Sequence, residues 1–466
     1  MISLQADHTL IDGHLVSDVV VHINDGRIHA VTSANHTEVN GVPVRRLRDK
    51  ILLPGFVNGH SHAFQRVLRG RTEHAPPGAG DDDFWSWREA MYEAATKLQP
   101  AQIEAVTRFA YIEMLRAGFT HVAEFHYLHH QPDGTPYDDP LELTRRVLAA
   151  ADTAGMGITL LRVAYQRGGP GVEATPRQRR FVDVSPERYA ASFEDSMALS
   201  NRMAHRPVHV GIAAHSVRAL DRNWLRSLRV LAGEKGLLHA HVSEQPKEIQ
   251  LCLAEHGLRP IQLLADVGLL GPNFVGVHAT HLDPDEISLL GESRAIACIC
   301  PTTERNLGDG LPPMQPLIEA GVTAAIGSDS HAVIDPFAEM AALENGERLR
   351  TGRRNVLIGG PHNEVANTLL RAGTQGGANA CQLDAGAIEA GLRADLVTVD
   401  SQSPQLAGLH AGVRGHSSLL AGVALTGNAS LVRDVWVGGA QVVENGVHPG
   451  WETALSDYDE VMRSLV

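Results

Sequence analysis

ILLPGFVNGHSH, residues 51–62, is a short apolar run that ends in polar side chains. The pattern returns in HVAEFHY (121–127), GITLLRVAY (157–165), VHVGIAAHS (208–216), LLHAHVSE (237–244), FVGVHATH (274–281), AIACICPTTE (295–304) and TAAIGSDSH (323–331). Helix-like segments such as PAQIEAVTRFAYIEMLRAG (100–118) and QPKEIQLCLAEHG (245–257) lie between the runs. Strand alternating with helix predicts an α/β fold with a parallel sheet. Eight such units predict closure into a TIM-type (β/α)8 barrel, with an open doubly wound sheet as the alternative.

Outside this middle region the texture changes. DGHLVSDVVVHINDGRIHAV (12–31) reads as short alternating strands with a DG turn, and GLRADLVTVD (391–400) and LVRDVWVGGAQVVENG (431–446) read alike. The expected organisation is a small discontinuous β-sandwich from residues 1–52 and 385–450, a barrel over 53–384, and a C-terminal helix or tail over 451–466. Two Pro/Gly-rich stretches interrupt the barrel, RTEHAPPGAGDDDFWSWRE (71–89) and QRGGPGVEATPRQRRF (166–181). Long loops after barrel strands form the rim of an active site. Trp85, Trp87 and Arg88 favour a lid or pocket wall for the first stretch over a plain linker.

Composition narrows the function. Of 466 residues, 43% are hydrophobic and 20% charged, an ordinary globular balance. A net charge of −14 argues against a nucleic-acid partner, and an anionic substrate would need Arg or Lys placed locally. No run of about 18 apolar residues is present, so no membrane helix is expected. The N-terminus lacks the basic and apolar regions of a secretory signal, and four irregularly spaced cysteines suit a reducing compartment; a cytoplasmic protein is expected.

The chemistry lies at the carboxyl ends of runs one, five, six and eight. These carry His60-Ser61-His62, His241-x-x-Glu244, His278-x-x-His281 and Asp329. Residues two apart in a strand face the same side, so His60 and His62 can reach one point. Imidazole and carboxylate donors suit zinc at ~2.0–2.2 Å. Any one of these histidines alone reads as a core or surface residue; the set in this order reads as a metal centre. Such a cation lowers the pKa of water from ~15.7 to about 7.

PGFVNGHSH, HAHVSE, HATHLD and IGSDSH together resemble the amidohydrolase superfamily, in its mononuclear aminohydrolase branch. HSHAFQR, FWSWRE, AEFHYLHH, HSVRAL, HVSEQPKE, VHATHLDP and NLGDG resemble its formimidoylglutamate deiminase family of histidine degradation, over about residues 50–350. The resemblance implies that His60, His62, His241 and Asp329 hold one Zn2+, with Fe2+ or Mn2+ as substitutes. It implies proton-transfer and polarising roles for Glu244 and His278, with Asp329 also contacting the attacking water. It assigns Gln65, Arg88, Tyr127, His215 and Arg218 to substrate. Binuclear relatives carry a bridging Lys at the end of strand four; here that run ends in His215 and Ser216, so one metal is expected. The implied reaction is hydrolysis of N-formimino-L-glutamate, a small dicarboxylate, to N-formyl-L-glutamate and ammonia, in a homodimer. Arg88 and Arg218 are the expected carboxylate clamps; the plain alternative for Arg88 is a surface ion pair with Glu89 or Asp82.

Two other functions stay open. One is a deaminase of the same superfamily acting on a purine, pterin or triazine-like ring, which Trp85 and Trp87 would stack. The other is a barrel without activity, which the intact donor set opposes. His126, His129 and His130 read as rim or hydrogen-bonding residues, His281 and His331 as packing around the site, and Cys298 and Cys300 as core. Glu304 reads equally as a substrate contact or a helix cap. P-loop, nucleophile-elbow and P-C-x-x-C deaminase motifs are absent.

Overall fold

The computed structural model describes residues 1–34, 38–39, 42–74, 82–203, 208–359, 364–411 and 415–465. All eight runs contain strands: Phe56–Ser61, Phe119–His126, Gly157–Ala164, Val208–Ser216, Leu238–Val242, Phe274–His278, Ile296–Ile299 and Thr323–Ile326. They lie side by side in chain order in one parallel sheet. The eighth strand returns to the first at their carboxyl ends. There Ser61 and Asp329 form a parallel bridge, and the His60 carbonyl accepts from the backbone N–H groups of Ser328 and Asp329 at 3.1 and 3.0 Å. This is the barrel, not the open sheet.

Packing explains the unbroken apolar texture of the runs. Phe119–His126 and Gly157–Ala164 are buried along their whole length, as strands covered on both faces must be. Pro100, Pro246, Pro284, Pro301 and Pro336 each open a helix, where a fixed φ helps and the missing N–H costs nothing. One glycine is demanded by the seam between the strands. A Cβ at Gly327 would lie 2.8 Å from His60 Cβ and 2.9 Å from the His60 carbonyl oxygen.

Both chain ends build a second, mixed sheet of nine strands, ordered Ala440–Val443, Val432–Val437, Leu396–Asp400, Val42–Pro54, Ile2–Ile11, Val19–Asn24, Arg27–Ser33, with two short strands attached. Leu4, Val21, Ile23, Ile28, Leu52, Leu396 and Trp436 share its own apolar core. The Asp25-Gly26 turn has φ of 47° and 78°, the paired positive values that a two-residue hairpin needs. The first run proves to be two strands in two sheets. Val42–Pro54 belongs to the mixed sheet and Phe56–Ser61 to the barrel. Pro54 has no N–H to extend a ladder, and Gly55, between them, donates its own to the Asp395 carbonyl at 2.8 Å. A helix, Trp451–Ser464, follows the mixed sheet.

Candidate active site

Four donor atoms meet where the barrel closes. His60 Nε2 lies 3.1 Å from both His62 Nε2 and His241 Nε2, and Asp329 Oδ1 lies 3.4 and 3.3 Å from the Nε2 atoms of His60 and His62. All four residues are buried. His62 Nδ1 faces the Phe125 carbonyl at 3.0 Å and His241 Nδ1 the His215 carbonyl at 2.9 Å. Each of these Nδ1 atoms must therefore carry the proton, which leaves the Nε2 lone pairs converging. Burial, then neighbouring imidazoles, hold His241 and His60 well below the ordinary histidine range and His62 down at about 3. Converging lone pairs and an anionic oxygen repel unless a cation lies among them. Edges of ~3.3–3.4 Å are what four bonds of ~2.0–2.1 Å make in a tetrahedron, so this donor set fits a divalent metal.

Proton-transfer groups flank the cluster. Glu244 Oε2 accepts from Arg218 Nη2 at 3.1 Å, and its Oε1 lies 3.6 Å from His278 Nε2. His278 Nδ1 faces Glu304 Oε1 at 3.3 Å, and its Nε2 is 4.0 Å from Asp329 Oδ2. Burial alone would lower the His278 pKa, but Glu244, Glu304 and Asp329 outweigh it and hold the ring well above its ordinary value. Glu304 also accepts from the Cys300 N–H at 2.9 Å, so it both caps a helix and faces His278. The backbone here is strained. Ser243, His278, Ala279, Asp329 and His331 all have positive φ, between 43° and 70°. Each such residue costs on the order of 1–3 kcal/mol and survives only where the surroundings enforce it.

The residues expected to hold substrate line up beside the cluster. Gln65 donates to the Tyr127 hydroxyl at 2.9 Å, while its own Oε1 is buried with no partner among the described residues. The Tyr127 ring is 5.0 Å from His62 and 5.6 Å from His215. His215 packs 4.7 Å from Tyr165, whose hydroxyl is 3.4 Å from that of Tyr92. Arg88 sits over Tyr92 at 5.4 Å and Trp85 at 4.5 Å, with a buried Nε that meets no partner among the described residues. Glu89 pairs instead with Arg177. Arg218 lies over Trp85 at 5.5 Å and also faces Glu248 at 3.3 Å. Two carboxylates thus already occupy Arg218. Helix Phe84–Lys97, capped by Asp83, places Trp85 and Arg88. Of the stretch 71–89, residues 75–81 lie outside the described residues.

Three carboxylates escaped the sequence reading. Glu124 accepts from Ser61 Oγ at 2.7 Å and the Ala63 N–H at 2.8 Å, fastening the His60–His62 segment from below, and burial pushes it up to about 7. Glu248 accepts from the Ser243 N–H at 3.0 Å, and burial likewise raises it to about 7. The third, Asp309, is the acidic residue of the NLGDG segment and lies near Glu244 and His278. Glu124 lies inside an apolar run, where a charged residue is the one available signal, and it marks Glu124 alone. His129 and His130 bond the carbonyls of Val163 and Val182, and His126 packs against His129 at 5.3 Å, away from the cluster. His281 bonds the Asp309 carbonyl, and His331 the hydroxyls of Ser61 and Ser328.

Comparison with known proteins places these observations. The model of the amidohydrolase family matches residues 51–442. Over 416 residues the chain is 39% identical to a formimidoylglutamate deiminase of Pseudomonas aeruginosa, covering 89% of each chain. A 5-methylthioadenosine/S-adenosylhomocysteine deaminase of Halobacterium salinarum is 30% identical over 87% of this chain and 84% of its own. The crystal structure of an amidohydrolase from Brucella melitensis superposes with a TM-score of 0.89 at 34% identity, covering all of both chains.

Proposed function

The chain belongs to the amidohydrolase family, and from that premise we propose that this metal-dependent hydrolase of C–N bonds removes the imino group of N-formimino-L-glutamate, leaving N-formyl-L-glutamate and ammonia. The step serves histidine degradation. The observation that carries the substrate is Arg88. It is a guanidinium with an unpartnered buried Nε, stacked in the wall beside the catalytic cluster of an acidic protein. That is what a carboxylate-bearing substrate requires. The similarity to a formimidoylglutamate deiminase supports the same choice.

His60, His62, His241 and Asp329 would hold one divalent cation, Zn2+ or, with the same donors, Fe2+ or Mn2+. Bound there, the cation supplies a nucleophile near neutral pH by acidifying water. Glu244 takes a proton from the attacking water and passes it to the departing nitrogen. The Arg218 contact on Oε2 leaves Oε1 for this work. His278, its pKa raised by Glu244, Glu304 and Asp329, would donate from Nε2 to the oxygen added at the attacked carbon. Gln65, Tyr127 and His215 shape the wall. Arg218 keeps its Nη1 hydrogens for substrate, since Nε and Nη2 face Glu248 and Glu244.

A ring-binding role for Trp85 is disfavoured. Arg88, Lys247 and Arg218 all lie within 5.5 Å of its ring centroid. A coupled assay for ammonia release from N-formimino-L-glutamate tests the proposal, and a metal-loaded protein that releases none ends it. Arg88→Ala should lower kcat/KM by about tenfold to a hundredfold, the worth of one charged hydrogen bond of ~1.5–3 kcal/mol. Full turnover by the Arg88→Ala, Arg218→Ala double variant would point back to a neutral ring.

A further inference from the structure

Asp309 has no part in the chemistry above, yet every other polar group on it is fastened. Its N–H donates to the Glu304 carbonyl at 2.9 Å, and its carbonyl accepts from His281 Nε2 at 2.7 Å. The Gln245 amide donates to its Oδ1. Its Oδ2 is left buried with no hydrogen-bond partner among the described residues, on a side chain only 3% exposed. A carboxylate oxygen of Asp309 lies within 4.8 Å of the polar atoms of Glu244 and His278. A buried acceptor held open in this way is costly unless a ligand supplies the donor.

Charge bookkeeping indicates what that ligand carries. Glu244 and Glu248 share Arg218, Glu304 faces His278, and Asp329 belongs to the cation cluster. Asp309 is the carboxyl left over: burial and the charge of Glu244 push it up to about 9, so it stays ionised at neutral pH only against a cation, and among the described residues it makes no ion pair with any Arg or Lys. An N-substituted formamidine is protonated at neutral pH, and its planar cation ends in an NH2 group. The amide product is neutral and presents an oxygen at the corresponding place.

We propose that Asp309 Oδ2 accepts a hydrogen bond from the terminal NH2 of the substrate amidinium, so that the site selects cationic amidines and releases neutral amides. This rests on reading the substrate as a linear amidine. It adds a specificity residue beside Glu244 and His278. The preference arises because a neutral carbonyl has no hydrogen to offer and leaves the carboxylate unpaired.

Acetamidinium and acetamide share a shape and carry no glutamate tail. Titrated calorimetrically into the metal-loaded protein, acetamidinium should bind at least tenfold tighter, and Asp309→Asn should bring the two within about twofold at unchanged metal content. No preference in the wild type, or a preference that survives Asp309→Asn, overturns the inference. With N-formimino-L-glutamate the same variant should raise KM at least tenfold while N-formyl-L-glutamate inhibits as well as before; equal weakening of both would mark Asp309 as merely structural. If Asp309→Asn does not fold, Gln245→Leu frees Oδ1 and should halve the preference or more, and an unaltered ratio there counts against the proposal. A wild type that releases no ammonia but keeps the head-group preference would sink the proposed substrate and leave this inference standing.

Discussion

Glu244 lies between Arg218 and His278, and its proposed role can be separated from that of its neighbour in sequence. Glu244→Gln keeps the shape and removes the proton acceptor. Turnover should fall by ~10²–10⁴-fold, while metal content measured by emission spectrometry stays at the wild-type level. His241→Ala removes a donor and should lose both. Normal turnover by Glu244→Gln would strip it of the proton-transfer role. The donors His60, His62, His241 and Asp329 are legible in the sequence because each closes an apolar run at the same place in a repeating unit. Asp309 and Glu248 are not, because they sit in a loop and a helix and reach the site through contacts that no local spacing encodes. Arg218 is legible as a charge near the site. Of its two carboxylate partners Glu244 is legible too, but Glu248 is not, since it arrives from the next helix.

At the scale of elements, the strand ends carry the precision and glycine permits it. Gly327→Ala would drive a methyl into the His60 main chain. Overpacking of this kind costs ~1–3 kcal/mol, and the displaced His60 should weaken metal binding by roughly 10–100-fold, as disturbed outer-shell contacts do. Competition with a chromogenic chelator measures it, and an unchanged affinity would show that the seam tolerates the methyl. The eight strands are readable from period and punctuation, whereas the division of residues 42–61 between two sheets is not. Leu52 and Leu53 on one side and Phe56 and Val57 on the other are equally apolar. Only Pro54, which cannot donate, marks the place where one ladder stops.

For the whole molecule, buried neutral histidines set the response to acid. Burial, assisted by Arg162 and Arg180, lowers His126 to about 3, and burial lowers His239 to about 4. Both lie outside the donor cluster. The unfolded chain takes up these two protons near pH 6.5 and the folded chain refuses them. Their contribution to stability is therefore complete above pH 6.5 and is lost as pH falls toward 4 and then 3, each at ~1.4 kcal/mol per pH unit. Melting temperature should drop steadily between pH 6.5 and 4.5, and a flat profile there would contradict the burial of these rings. His126→Asn with His239→Asn should shallow the slope.

The join between Ser61 and Asp329 has a temporal consequence. Two of the proposed ligands stand at one end of the barrel's chain segment and another at the opposite end, some 270 positions later. A growing polypeptide cannot complete this pocket until almost the last strand has left the ribosome. The ion is then a rivet fitted after assembly rather than a seed for it, and a fragment ending before residue 323 should bind it poorly however long it is given.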